Sequence, residues 1–197
     1  MTAIVTPADG LASLCATPPD RCRSSAFRLR QAAPGWEREQ AARLRREVFC
    51  NEQGLFAGDD LDAIDARPET MRTLVALSDL AGEDEQVVGT VRIHEAETGV
   101  WWGSRLAVAP DFRRVGVLGA ALIRLAVGSA RAQGCHCFLA HVQQRNVPLF
   151  RRLHWHDRAE LQLHGRPHRL MEADLSHFSP CLDPRSGFVV HVDGSGR

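Results

Sequence analysis

The chain has 197 residues, 24% charged and 44% apolar, and its 24 basic side chains balance 24 acidic ones. That length suits one ordinary domain with a full core and leaves little for a second. Zero net charge argues against nucleic acid or an anionic membrane as partner, and no stretch approaches the ~20 apolar residues of a membrane span.

Residues 1–25 are rich in Ala, Thr, Pro and Ser without helical or strand period and are expected to form a flexible leader. Phe27 and Leu29 alternating with Arg28 and Arg30 predict a strand over Ala26–Ala32, which Pro34-Gly35 breaks. Trp36–Phe49 reads as a helix with Ala41, Leu44 and Val48 on one face. The acidic segment Asn51–Thr70 reads as an ordered loop or short helix. Three strands follow, Arg72–Leu77, Val87–His94 and Val100–Val108, separated by Gly82-Glu83-Asp84 and Glu97-Thr98-Gly99.

Gly116–Gln133 is the clearest helix, with Leu118, Leu122 and Leu125 on one stripe and Gly134 as its stop. Cys137–Val142 reads as a buried strand, and Asn146–Leu153 as a short helix with Pro148 in its first turn. A hairpin of Glu160–Leu163 and His168–Leu175, turned at Gly165, closes the domain. The tail beyond Ser176 could add Phe188–Val192 as an edge strand. This order describes an α/β fold with a mixed sheet. Residues 26–176 form the expected domain, between the leader 1–25 and the tail 177–197.

The six cysteines, Cys15, Cys22, Cys50, Cys135, Cys137 and Cys181, lack the spacing of a disulfide framework or of paired zinc hooks. No signal peptide is visible, so a reduced cytoplasmic protein is expected. Cys135-His136-Cys137, His154-x-His156 and His164-x-x-x-His168 supply no i, i+4 pair on one helix, so no metal is expected. Every basic residue is arginine, and the chain has neither lysine nor tyrosine.

The most informative stretch runs from Ser104 to Ala120: a strand, a turn, then a helix opening on small residues. Backbone N–H groups at such a helix start point outward, and the helix dipole adds partial positive charge. Gly116, Gly119 and Ala120 allow an anion close approach, and Arg113 and Arg114 add fixed charge beside it. Together they read as a pyrophosphate cradle spanning Arg113, Arg114, Val115, Gly116, Val117, Leu118, Gly119 and Ala120.

This string resembles the acyl-CoA loop of the GNAT acetyltransferases, R/Q-x-x-G-x-G/A, with Arg113 and Gly116 in place and Leu118 where Gly or Ala is usual. Asn146 to Trp155 resembles the family's C-terminal helix pattern, and Leu44 to Gly54 its first-helix signature. Residues 26–176 match the family in element order. A closer likeness is to the GNAT domain of nitrilase-associated, nitrogen-starvation gene clusters, and it implies no substrate.

The resemblance implies a GNAT fold whose mixed central sheet splays between two strands and is flanked by helices. It implies acetyl-CoA, or another acyl-CoA, as co-substrate and a small-molecule amine as acceptor. The strand ending at Val108 would splay from Cys137–Val142 and hold the pantetheine arm through Leu106, Ala107 and Val108, with an N–H there polarising the thioester carbonyl. Asn146 is expected beside the donor, and a homodimer is compatible with the reading. Glu52, after the first helix, is the first candidate for general base, with His94 and His141 as alternatives. Phe150 occupies the position where the family commonly carries a tyrosine acid.

Arg45-x-x-x-Phe49, Asp62-x-x-Asp65, Arg92 and Ser104-Arg105 also resemble, in order and partial spacing, the acyl-homoserine-lactone synthases, themselves GNAT-like. That likeness implies an ion-pair cluster on the substrate side, with Trp102 where the synthases carry glutamate. The plainer expectation is that Asp62 and Asp65 pair with Arg92 or Arg105 to order the acidic loop. Of Trp101 and Trp102, one should pack in the core and the other line the acceptor pocket. A non-catalytic acyl-CoA-binding module is the alternative from another class.

Overall fold

Alternation along the strands decides which face each side chain serves. In strand β2 (Met71–Leu80), Leu74 and Ala76 belong to one buried cluster and Val75 and Leu77 to another on the opposite face. A sheet apolar on both faces must be covered on both, and helices α1 (Trp36–Arg46) and α2 (Val117–Arg131) do so. The structure, a computed structural model, describes residues 26–80 and 83–192. The expected leader therefore lies outside the described residues.

The remaining strands are β1 (Ala26–Gln31), β3 (Glu83–Glu97), β4 (Val100–Val108), β5 (Cys137–Gln143), β6 (Trp155–Leu163), β7 (Arg166–Ala173) and β8 (Phe188–His191), and α3 covers Val147–Arg152. The sheet order is β6-β7-β5-β4-β3-β2-β1-β8. Every neighbouring pair is antiparallel except β4 and β5. The sheet is thus mixed and flanked by helices, the architecture expected.

Two features depart from the sequence expectation, and a third, the edge strand near Phe188, agrees with it. The first helix does not run on as α to Phe49: at Glu47 it widens into a π turn over Glu47–Glu52. That wider turn lets consecutive Val48 and Phe49 both pack against the sheet. Strands β2 and β3 extend well past the predicted ends, since their pairing continues to Leu80↔Glu83. Beyond Ser176 the chain folds back: Phe178 is buried in the core, and Phe188–His191 pairs with β1.

Helix α2 fills the space under the sheet, with Leu118, Leu122, Leu125 and Val127 almost fully buried. Gly128 faces the returning C-terminal segment, where an added Cβ would meet the Ser179 carbonyl at 2.7 Å. The Cys181 N–H donates to the Gly128 carbonyl at 2.9 Å, so the glycine is required by close backbone approach. Among the described residues no helix is long and apolar enough to cross a membrane.

Candidate functional site

The parallel pairing of β4 with β5 lasts only from Val100↔Cys137 to Gly103↔Ala140. Beyond it the two strands part, leaving Ser104 and His141 as the first residues on either side of a split. Just past that point β4 carries a bulge: Arg105 and Leu106 together oppose Val91, between the pairs Arg92↔Ser104 and Thr90↔Ala107. Arg105 sits in the left-handed region at φ 55°, a conformation that costs a non-glycine residue on the order of 1–3 kcal/mol.

An ion network holds that strained residue. Arg105 pairs with Asp60 at 2.9 Å and Asp62 at 3.1 Å. Arg92 takes both Asp62 oxygens at 2.7 Å, adds Asp65 at 2.5 Å, and donates from Nε to the Ser104 hydroxyl at 3.0 Å. Arg45 completes it, reaching Asp60 and Asp65, each at 2.8 Å. Three guanidinium groups meet three carboxylates, so the network is neutral although Arg45, Arg92 and Asp60 are buried. Burial works to raise the Asp62 carboxyl, but the hydrogen bonds and charge of Arg92, then Arg105, outweigh it and hold it well below the usual carboxylate range. Asp62 and Asp65 pair as the plainer expectation had it, and the acidic loop is thereby pinned to β3 and β4.

A cavity of about 590 Å³ opens at the split and is lined from both faces of the sheet. On the α1 face its walls are Phe56, Asp62, Arg92, His94, Trp102, Ser104, Arg105, His141, His164 and His168. On the α2 face they are Val91, Ile123, Ala126, Phe138, Ala140, Val142, Phe150 and Trp155, all members of the main core cluster. Trp101 packs in the core and Trp102 lines the cavity, dividing the pair as expected. The loop after the π turn and the β6–β7 hairpin roof the α1 side. There the Gln53 carbonyl accepts from Arg166 at 2.5 Å, and the Phe56 and His164 rings meet at 4.6 Å.

Imidazoles dominate the α1 face. His94 is the cross-strand partner of Trp102, and the His141 ring lies against the Trp102 indole with centroids 4.9 Å apart. Burial, then the Arg92 charge, pushes His94 below the ordinary histidine value, and burial, then His168, does the same for His141. Both rings are therefore neutral near pH 7 and able to accept a proton. The His168 Nδ1 lies 2.9 Å from the Arg166 carbonyl, which makes Nδ1 the donor.

A second cavity, of about 350 Å³, adjoins the first along the far part of β4. Leu106, Ala107, Val108, Arg113, Gly116, Leu118, Gly119 and Asn146 line it, together with Phe112, Arg145 and Leu149. Gly116, at φ 72°, turns the chain into α2, whose first residue is Val117. Leu118 is buried beneath the groove, so Gly119 supplies the small surface that the motif's spacing puts one place earlier. Ala120 is partly buried against the core. The side chains of Arg114 and Val115 lie outside the described residues.

Glu52, the first candidate for general base, pairs with Arg113. It ends the π turn and lines neither cavity; its carboxylate takes both terminal nitrogens of Arg113 at 2.7 and 2.5 Å. The Arg113 hydrogen bonds, opposed by burial and reinforced by charge, hold Glu52 below the usual range, which makes it a weak proton acceptor. Sequence reasoning ranked His141 behind it. The pairing register, invisible in sequence, is what brings His141 to the mouth of the split. Among the described residues no group of three or more His, Cys, Asp or Glu is arranged to hold a metal ion.

The model of one family, described as the acetyltransferase (GNAT) family, matches residues 35–155. The chain belongs to the GNAT family. It is an acyltransferase of a family that uses acyl-CoA donors. Its fold is similar to that of a structure described as an N-acetyltransferase from Lactobacillus plantarum, at 18% identity and TM-score 0.66, covering 76% of this chain and 98% of that one. It is also similar to BjaI, a CoA-dependent acyl-homoserine lactone synthase solved with SAM and isopentyl-CoA, at 17% identity and TM-score 0.63, covering 82% and 94%. FeeM, an N-acyl amino acid synthase from uncultured soil microbes, matches at 14% identity and TM-score 0.58, covering 76% and 92%. No curated protein matches the sequence.

Proposed function

We propose that this GNAT enzyme transfers an acyl group larger than acetyl from acyl-CoA to a small-molecule amine. The observation that carries the reading is the cavity continuing through the split onto the apolar α2 face. A molecule the size of water claims about 30 Å³, so a three-heavy-atom acetyl group needs roughly three such shares. The cavity of about 590 Å³ is far larger, and its inner wall is hydrocarbon and aromatic ring. Such a wall favours an acyl chain, by about 0.8 kcal/mol per buried CH₂. The sequence had suggested acetyl as the leading donor; the cavity favours a longer one.

In this proposal the donor's phosphates lie along the groove of Arg113, Gly116 and Gly119, and its pantetheine arm runs beside Leu106, Ala107 and Val108. The thioester sits at the split near Ser104, with the acyl chain inward and the amine arriving on the α1 face. The amine nitrogen attacks the carbonyl carbon, His141 takes the amine proton directly or through water, and the C–S bond breaks to release thiolate. Phe150 cannot protonate that thiolate, but a thiol pKa of about 8.5 makes it a tolerable leaving group. No covalent enzyme intermediate is required.

A second reading takes S-adenosylmethionine as the amine, as in a lactone synthase. The Arg–Asp network beside the cavity favours it, and Trp102 in place of the synthases' glutamate counts against it. One assay addresses both: release of free CoA from acetyl-, butanoyl-, hexanoyl- and octanoyl-CoA with a panel of amines that includes S-adenosylmethionine. Turnover rising beyond acetyl supports the proposal, and turnover confined to acetyl-CoA contradicts it.

A further inference from the structure

Among the described residues, Asp62, Arg92 and Arg105 are the only acidic or arginine side chains lining the cavity, and all three belong to the closed network with Asp60, Asp65 and Arg45. Asp62 accepts from Arg92, from Arg105 and from the N–H groups of Ile64 and Asp65, which fills the roughly four lone-pair sites of a carboxylate. It has none left for an ammonium. Arg105 already faces Asp60 and Asp62, so a further carboxylate beside it would be repelled by both. What the amine side of the cavity presents instead is aromatic. On the sheet, the Trp102 and His141 rings lie 4.9 Å apart; on the roof, Phe56 and His164 lie 4.6 Å apart. All four line the cavity and none is closed off: Trp102 and Phe56 are half-buried, and His141 and His164 are exposed.

We propose that the acceptor is an aromatic monoamine: a flat ring bearing one amino group, directly or on a short alkyl arm, and no other charge. The inference rests on the acyl-transfer reading above and names the class of its amine. The ring would lie against Trp102 and Phe56, gaining aromatic contact from sheet and roof, with the amine nitrogen toward His141. A diamine or polyamine would bring a second ammonium, and an amino acid a carboxylate, into a space with no partner for either. S-adenosylmethionine carries both a carboxylate and a sulfonium and is disfavoured on the same ground.

The test measures CoA release from hexanoyl-CoA with phenethylamine, cyclohexylethylamine, phenylalanine and putrescine. Rates are compared per neutral amine, because only the unprotonated nitrogen attacks. Phenethylamine should exceed cyclohexylethylamine in kcat/KM by roughly three- to tenfold, and phenylalanine and putrescine by roughly tenfold or more. Trp102→Leu should bring the phenethylamine-to-cyclohexylethylamine ratio to about one, and Phe56→Leu on the roof reads the same ratio should Trp102→Leu fail to fold. Cyclohexylethylamine, phenylalanine or putrescine turned over as well as phenethylamine overturns the inference and leaves the transfer reading standing, as does a ratio unchanged in the variants. No release with any of the four amines overturns the inference, and if the wider amine panel is also silent the transfer reading is overturned with it.

Discussion

Glu52 and Arg113 stand 61 positions apart in sequence, yet their side chains form a two-pronged ion pair at 2.7 and 2.5 Å along the edge of the donor groove. In the proposed binding mode Arg113 meets the donor's phosphates, and Glu52 already pairs with it. Donor binding in the proposed mode exchanges one anion for another at the same guanidinium. Glu52→Gln should therefore tighten donor binding, by at most about fivefold for so exposed a pair, with kcat nearly unchanged. Arg113→Glu should weaken it strongly. Titration calorimetry with CoA measures both; a large loss of kcat in Glu52→Gln would restore it as the base.

His141 makes a sharper kinetic prediction. Loss of a general base typically costs ~10²–10⁴ in rate, so His141→Gln should lower kcat by that order and leave donor affinity intact. Because burial depresses the His141 value, the wild-type rate should stay level as pH falls through 6.5 and decline only below it. The variant should lose that acid limb. A pH–rate profile of the same shape in both proteins would remove His141 from the chemistry.

The Arg–Asp network should be felt in stability. Asp65 bonds both Arg45 and Arg92, whose side chains are 6% and 2% exposed, so Asp65→Asn leaves buried charge undercompensated. Removing one partner of a buried pair costs about 3–5 kcal/mol, which urea unfolding would record as a lower midpoint with an unchanged slope. Asp62 has a folded-state value below its unfolded one, so its contribution is full above the unfolded pKa of about 4 and is lost as pH falls further. Acid titration of the unfolding midpoint should show the loss beginning near pH 4.

Much of the framework was legible in residue order. Strand β4 falls on Val100–Val108 as the turn signal before it predicts, and Gly116 and Gly134 bracket α2. Local chemistry fixes such features: turn residues at strand ends, and glycine where φ turns positive. The π turn was not legible, because nothing in Glu47–Glu52 distinguishes five-residue from four-residue hydrogen bonding. Nor was the pairing of Phe188–His191 with β1, which joins opposite ends of the described chain. The site was legible in parts only. The pairing of Asp62, Asp65, Arg92 and Arg105 was legible through the resemblance to the acyl-homoserine-lactone synthases. By contrast, His141 and Trp155 acquire their positions from the split of β4 from β5 and the packing of α3 and β6, which are long-range facts.

The central claim is a donor site that continues into an acyl chamber, and thermal unfolding with CoA, acetyl-CoA and hexanoyl-CoA tests it most directly. A ligand at ~100 times its dissociation constant adds about 2.7 kcal/mol of stability, easily read as a rise in Tm. The expected order at equal concentration is hexanoyl-CoA above acetyl-CoA, with acetyl-CoA close to CoA. A rise of the same size for all three would confine recognition to the CoA moiety and contradict the chamber, and no rise with any of them would contradict the donor site itself.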